Sequence, residues 1–204
     1  GGRLAVGADG PYHVIRLLAA FRQSHPGVAL AVTIGNSNDV RQGLLDYRTD
    51  VAVLAEMADD PRFIKLPIGR YPVVVFVASD HPWAGRRGIG LAELHGQPMV
   101  RRELGSATRK IFEAALVRRG VRPDFVLEIG SREAVHEAVA NGMGIGVVMA
   151  PELGHDDRLA PIPIMDAEIS ISEHAVCLAE RREAGVVQAF MAIAEAVSVK
   201  RGGS

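Results

Sequence analysis

Apolar residues recur along this chain in two rhythms, a strand period of two and a helix period of 3.6. Leu4, Ala5 and Val6 open with a short apolar run closed by Gly7. Asp9-Gly10-Pro11 reads as a cap and turn, with proline suited to the first turn of a helix. Val14, Leu17, Leu18 and Phe21 then fall at i, i+3, i+4 and i+7, the single apolar stripe of a helix that His25-Pro26-Gly27 stops. A β-branched strand is predicted over 28–34. A helix carrying Val40, Leu44 and Leu45 follows the cap at 35–39, and a nearly all-apolar strand follows over 50–54. Such a strand suits a parallel sheet buried on both faces. Glu56 emerges from its C-terminal end.

The second stretch repeats the scheme. Asp59-Asp60-Pro61 is a turn, and 71–77 is a strong strand. A polar, glycine-rich excursion at 81–90 precedes a helical turn at 91–94. The strand Met99-Val100 runs into Arg101-Arg102-Glu103, then Gly105, then Ser106 as a natural N-cap. The helix it opens extends to Arg119 and is ended by Gly120. Another strand covers 125–129, and Gly130-Ser131-Arg132-Glu133 caps a helix carrying Val135, Ala138 and Val139. Asn141-Gly142 ends that helix before a strand at 145–148. After Pro151 come a loop at 155–157, a proline-rich strand at 162–165, a last strand at 175–179 and a final amphipathic helix at 186–197.

Strands alternating with helices predict an α/β fold with mainly parallel sheets. The strand–cap–helix unit occurs four times, at Asp9, near Ser37, at Ser106 and at Ser131. We read two Rossmann-like lobes joined by two crossover strands: residues 1–74 plus 175–204, and residues 75–174. Ligands of open α/β sheets bind outside the carboxyl ends of the strands. The four caps are therefore expected to line one cleft between the lobes.

Composition narrows the function classes. The 204 residues are 48% hydrophobic and 23% charged, enough apolar material for one large core or two small ones. A net charge of −1 provides no basic footprint for nucleic-acid binding by this segment itself. No apolar run approaches membrane-spanning length. The single cysteine, Cys177, excludes an internal disulfide and fits a reducing, cytoplasmic compartment. The start lacks an initiating Met and a secretory signal, and the end is Arg-Gly-Gly-Ser. Together they point to a trimmed chain.

Unsatisfied N–H groups and the helix dipole favour negative charge at a capped turn. Each turn taken alone is equally a plain helix cap. Their recurrence favours a shared site for a small anion, with Arg101, Arg102 and Arg109 as alternative sources of charge. The candidate ligand-binding residues are Asp9, Gly10, Asn36, Ser37 and Glu56 early in the chain. Arg102, Ser106, Thr108, Ser131, Arg132 and Glu133 complete the set. Cations and hydroxyls on one side and carboxylates on the other suit a zwitterion with an acid group and an amine. The glycines at 142–146 follow a helix and open a strand, the reverse of a nucleotide loop, and read as helix termination and close packing. The seven histidines lack metal-ligand spacing, so no metal or cofactor is expected. His136 and Glu137 read as a solvated helix face, and Cys177 as a buried small hydrophobe. An enzyme ranks last, because no nucleophile–base pair emerges.

Several segments resemble the effector-binding domain of LysR-type transcriptional regulators. They are the opening Leu-Ala-Val-Gly-Ala, His81-Pro82-Trp83-Ala84, Leu94-His95-Gly96-Gln97-Pro98 and the run from Ala140 to Gly146. The resemblance implies a fold like the type 2 periplasmic binding proteins and a small-molecule effector bound between the lobes. It implies homo-oligomers, and DNA contacts through an N-terminal winged helix-turn-helix absent from this chain. Gly35-Asn36-Ser37, Leu44-Leu45-Asp46-Tyr47, the segment from Arg102 to Arg109 and that from Ile129 to Val135 are similar to the subgroup associated with 2-aminoethylphosphonate catabolism. Where many relatives carry a hydroxyl after the first strand, this chain has Asp9-Gly10, which either removes that contact or assigns Asp9 to an amine. A solute-binding protein of an ABC-type transporter for a small anion is the alternative.

Overall fold

The computed structural model describes residues 2–202, with side chains described through residue 198. Two compact units divide the chain, Gly1–Arg70 with Ser172–Ser204, and Tyr71–Ile171. The chain leaves the first unit along the strand Phe63–Ala78 and returns to it along the strand Ser170–Leu178.

In the first unit, β1 (Gly2–Ala8) pairs in parallel with β2 (Val28–Ile34) on one side and with β3 (Val51–Ala55) on the other. Naming the remaining strands in chain order makes Phe63–Ala78 β4 and Ser170–Leu178 β9. β9 runs antiparallel to β3, and β4 lies beside β9. The sheet is thus mixed rather than mainly parallel. A strand that re-enters a sheet from another unit is not bound by the helix-crossover rule that keeps βαβ units parallel.

Alternation along β3 and β9 sorts two cores. Val51 and Val53 of β3 and Ala175 and Cys177 of β9 face one core. That core holds Val14, Leu17, Leu18 and Phe21 of α1 (Pro11–Ser24), the predicted stripe, with Val187, Phe190 and Ala194 of α5 (Gly185–Gly202). Ala52, Leu54, Val176 and Leu178 face the opposite core, shared with Val40 and Leu44 of α2 (Ser37–Leu45). Cys177 is fully buried, and burial pushes its thiol pKa up, as suits a small hydrophobe.

In the second unit, the latter part of β4 pairs antiparallel with β7 (Gly146–Met149) and with β8 (Leu159–Ile162). A separate pair, β5 (Pro98–Arg101) and β6 (Asp124–Glu128), is parallel and slips register between Met99 and Val100. Helices α3 (Ala107–Arg119) and α4 (Arg132–Ala140) complete the unit. Val135, Ala138 and Val139 of α4 close a core with Val74, Phe76, Val100 and Val148. Among the described residues the chain has five α-helices and nine strands.

Two expected boundaries move. β4 starts at Phe63, well before the predicted residue 71; Pro67 and Gly69 interrupt the apolar pattern there without ending the strand. The strand expected at 162–165 lies at Leu159–Ile162, where its residues oppose Val75–Ala78.

The glycine run serves termination and packing. Gly142 sits at φ 78, past the end of α4. A Cβ on Gly146 would come within 2.5 Å of the Phe76 ring and 2.8 Å of Val139, both fully buried. Gly146→Ala should therefore cost about 1–3 kcal/mol of unfolding free energy. Gly85→Ala, which meets nothing within 4 Å, should leave the urea midpoint unchanged.

Candidate functional site

In the first unit, Ser37 and the end of β3 meet on the carboxylate of Asp9. Asp9 follows β1, and its Oδ2 accepts from the Ser37 hydroxyl at 3.1 Å and from the Ala55 backbone N–H at 2.8 Å. Its own N–H donates to the Val53 carbonyl at 3.2 Å. Asp9 thus ties together the ends of β1 and β3 and the start of α2. It does not cap α1: the N-cap is Gly10, which has no side chain to offer. The cap of α2 is Asn36, whose Oδ1 accepts from Asp39 N–H at 2.9 Å, with Ser37 as the first helical residue. Glu56 stands at φ 49 just past β3 and is turned to β9, where its Oε1 accepts from Ser172 N–H at 2.7 Å.

In the second unit, Ser106 caps α3 as expected. It is 5% exposed, and its Oγ accepts from Arg109 N–H at 3.3 Å. Ser131 occupies the N-cap position of α4 without making the capping bond. Its hydroxyl hydrogen-bonds the Glu133 carboxylate instead. The Glu133 pKa lies below the usual range, first because that carboxylate accepts from its own backbone N–H and next because of Ser131, with burial opposing. Of the four expected caps, two are side-chain caps.

The arginines sort by their partners. Arg101 and Arg109 share Glu113 and Glu128. Arg101 Nη1 lies 3.0 Å from Glu113, and Arg109 Nη1 lies 2.6 Å from Glu128 Oε1. Arg102 is held by its neighbour Glu103 through two bonds of 2.8 and 3.2 Å. Arg132 pairs with Glu152 at 2.8 Å, with side chains 11% and 2% exposed. The tight Arg132–Glu152 pair fixes a guanidinium in a largely dry place, where a charge-assisted bond is strong.

Arg102, Thr108, Arg132, Val135, His136, Val147, Val148 and Glu152 line one small hollow with room for about one water molecule. Three of the predicted residues, Arg102, Thr108 and Arg132, meet there. Ser106, Ser131 and Glu133 do not line it. His136, read from the sequence as part of a solvated face, lines it. The ring packs edge-on against Phe76 at 5.1 Å, and Nε2 is buried without a hydrogen-bond partner. Burial first, then Arg132, holds its pKa below the ordinary histidine value. Its neighbour Glu137 is exposed as expected, paired with Arg158 at 2.7 Å. The sequence signal for His136 was weak: the residue sits at the margin of the α4 stripe, and only the packing of α4 against β4 brings Phe76 to it.

Comparison with known proteins settles the family. The LysR substrate binding domain model matches residues 1–198. The chain belongs to this family. Among relatives of this LysR-family domain, the HTH-type transcriptional activator CmpR of Synechocystis sp. is 31% identical over 169 residues, 81% of this chain and 55% of the relative. The RuBisCO operon transcriptional regulator of Allochromatium vinosum is 34% identical over 149 residues, 72% of this chain and 48% of the relative. The chain spans about half the length of the curated relatives it matches. The CcmR regulatory domain of Synechocystis PCC6803, solved in complex with 2-PG, superposes with a TM-score of 0.87 at 28% identity. That match covers 97% of this chain and 98% of the other. The QuiR effector-binding domain, solved with shikimate, shares the fold with a TM-score of 0.89 at 19% identity, covering 98% of each chain. These relatives are named as transcriptional regulators, not enzymes, which favours a regulator over a transporter's solute-binding protein.

Two outcomes follow, one for the Arg132–Glu152 pair of the second unit and one for the buried histidines, His136 of the second unit and His174 on β9. Arg132→Met leaves the Glu152 charge buried without its guanidinium and should cost about 3–5 kcal/mol in denaturant unfolding, while the Arg132→Met, Glu152→Gln double variant recovers part of it. His136 and His174 both titrate below the ordinary histidine value, each chiefly through burial. The unfolded chain therefore binds more protons than the folded one below about pH 6.5. The stability contribution is full above that pH and is lost as pH falls through the folded values. The unfolding midpoint should drop as the pH falls below about 6.5, less steeply in a His136→Gln, His174→Gln variant.

Proposed function

We propose that this domain senses a small phosphate- or phosphonate-bearing anion for a bacterial transcriptional regulator. The carrying observation is the hollow of the second unit. There Arg102 and Arg132 are held by carboxylates, and Thr108 lines the same hollow with Val135, Val147 and Val148. Preplaced guanidiniums bind a tetrahedral dianion without first paying to order long side chains. The CcmR complex supports the same ligand class, since 2-PG, 2-phosphoglycolate, is a phosphate ester. Effector binding would favour one arrangement of the full-length, cytoplasmic homo-oligomer, whose DNA contacts lie in a separate domain. A population shift of this kind requires differential affinity for the two arrangements.

2-Aminoethylphosphonate is the finer reading. It shares the tetrahedral dianion and replaces the far carboxylate of 2-phosphoglycolate with an ammonium. Asp9 is the carboxylate this reading assigns to that ammonium, beside Asn36 and Ser37. The Asp9 Oδ2 already accepts two bonds, which holds the carboxylate in place.

Isothermal titration with 2-aminoethylphosphonate, 2-phosphoglycolate, phosphonoacetate, phosphate and sulfate tests both levels. Micromolar binding of at least one phosph(on)ate is expected, and no binding at millimolar concentration by any would sink the reading. Preference for 2-aminoethylphosphonate, abolished by Asp9→Asn, would support the finer one; preference for 2-phosphoglycolate would exclude it. Arg102→Ala should weaken the tightest ligand by about 10- to 100-fold, one charge-assisted bond. Ser106→Ala should instead cost about 1 kcal/mol of stability at unchanged affinity, the signature of a cap.

A further inference from the structure

The first unit holds a larger hollow of its own, of about 330 Å³, within the size range of small-molecule sites. Leu45, Pro61, Leu178 and Ala179 give it apolar walls, and Tyr47, Arg62 and Glu180 add polar groups. Ala52 lies opposite Val176, so the antiparallel register sets Leu178 level with the start of β3. Asp9 bonds the other end of that strand, at Ala55. Tyr47 is the unexpected member. The Arg48 N–H donates to the Gly43 carbonyl at 2.9 Å and the Tyr47 N–H to the Leu44 carbonyl at 3.2 Å. This pair of bonds closes α2 through one left-handed residue, usually a glycine. Here that residue is Tyr47, at φ 57. A side chain is strained in that conformation, so the turn itself gives no reason for a tyrosine. Core packing gives none either, since Tyr47 is 62% exposed. Strain of this kind gathers at functional positions. The Tyr47 hydroxyl donates to Glu180, a carboxylate with no cationic partner among the described residues. Arg62 is held by Asp60 through Nε at 3.1 Å and Nη2 at 2.8 Å, which leaves Nη1 uncommitted among the described residues. The Ala179 N–H donates to the Arg62 carbonyl at 2.8 Å, so the segments bearing Arg62 and Glu180 run side by side.

We propose that this hollow is a second ligand site, for a small zwitterion with an apolar side group, the class of the free apolar α-amino acids. Arg62 takes the carboxylate through its open donor, a charge-assisted bond. Glu180 takes the ammonium, with the Tyr47 ring beside it as a cation–π face. The apolar walls cover the side group, which supplies the hydrophobic share of the affinity. One cation and one carboxylate lining the same hollow make the site selective. A simple amine has nothing to offer Arg62, and a simple acid meets Glu180 as a like charge. The site shares no residue with the anion site of the second unit and does not depend on it.

Calorimetric titration of the domain compares L-phenylalanine with three relatives. Phenethylamine keeps only the ammonium, 3-phenylpropionate keeps only the carboxylate, and glycine keeps both charges without the side group. Phenylalanine should bind at least about tenfold more tightly than each of them, the worth of one charge-assisted bond or of the buried ring. Glu180→Gln should weaken phenylalanine about tenfold and leave 3-phenylpropionate no weaker. Tyr47→Gly should also weaken phenylalanine, while its urea midpoint stays at or above that of the wild type, because glycine relaxes the left-handed turn. Amide spectra of the wild-type domain provide a readout that needs no variant: phenylalanine should shift Leu45, Tyr47 and Ala179. No phenylalanine binding at millimolar concentration overturns the proposal, as does equal binding by phenethylamine or 3-phenylpropionate. Amide shifts confined to other residues, or unchanged affinity in Tyr47→Gly, overturn it as well. A lower midpoint in Tyr47→Gly would assign the ring to the fold and do the same. Each of these failures leaves the anion site of the second unit standing.

Discussion

The burial of β3 and β9 on both faces is the constraint on which the first unit depends. A strand with only apolar neighbours above and below must alternate its side chains between two cores. Val51 and Val53 against Ala52 and Leu54 do this in step with Ala175 and Cys177 against Val176 and Leu178. Because β1, β2 and β3 run the same way, the turns after β1 and β2 emerge at the same edge of the sheet. Asp9 makes use of that edge. Its carboxylate bonds the chain just past β3 and the first residue of α2, so three segments distant in sequence are held by one side chain. A corner built on such strand ends inherits the rigidity of the sheet below it.

The second unit depends on a different balance, that between buried positive charge and its compensation. Arg101, Arg102, Arg109 and Arg132 crowd the turns before α3 and α4. Glu103, Glu113, Glu128 and Glu152 accept from them. The pairing at Arg132 is the driest, and it borders the hollow. Fully neutralised guanidiniums would have little left for a ligand. A guanidinium has five donors in a fork, however, and a single carboxylate partner engages at most two of them well. The carboxylates therefore orient these arginines.

Much of the fold was legible in the sequence because the signals were local. The α1 stripe, the all-apolar β3, the Ser106 cap and the Gly120 stop rest on periods and cap chemistry that act within a few residues. The first half of β4 was not legible, since Pro67 and Gly69 mimic a break that pairing with a neighbouring strand overrides. Arg102, Thr108 and Arg132 could be named as anion-binding candidates from their places in capped turns. The packing of His136 could not be read, because it depends on Phe76, sixty residues earlier on a strand.

The sequence by itself determined which residues form helices and strands, which turns present hydroxyls and arginines, and, through motif order, the LysR family. These properties follow from neighbours in the chain. Tertiary structure alone decided how each donor is spent. It bonded Asp9 to Ser37 and Ala55 rather than to α1, turned Glu56 toward Ser172, and aimed the Ser131 hydroxyl at Glu133. It also assigned a carboxylate to every arginine near the hollow and left Nε2 of His136 without one. Hydrogen bonds and ion pairs are contests among all groups within about 3 Å, and only folding determines which groups those are.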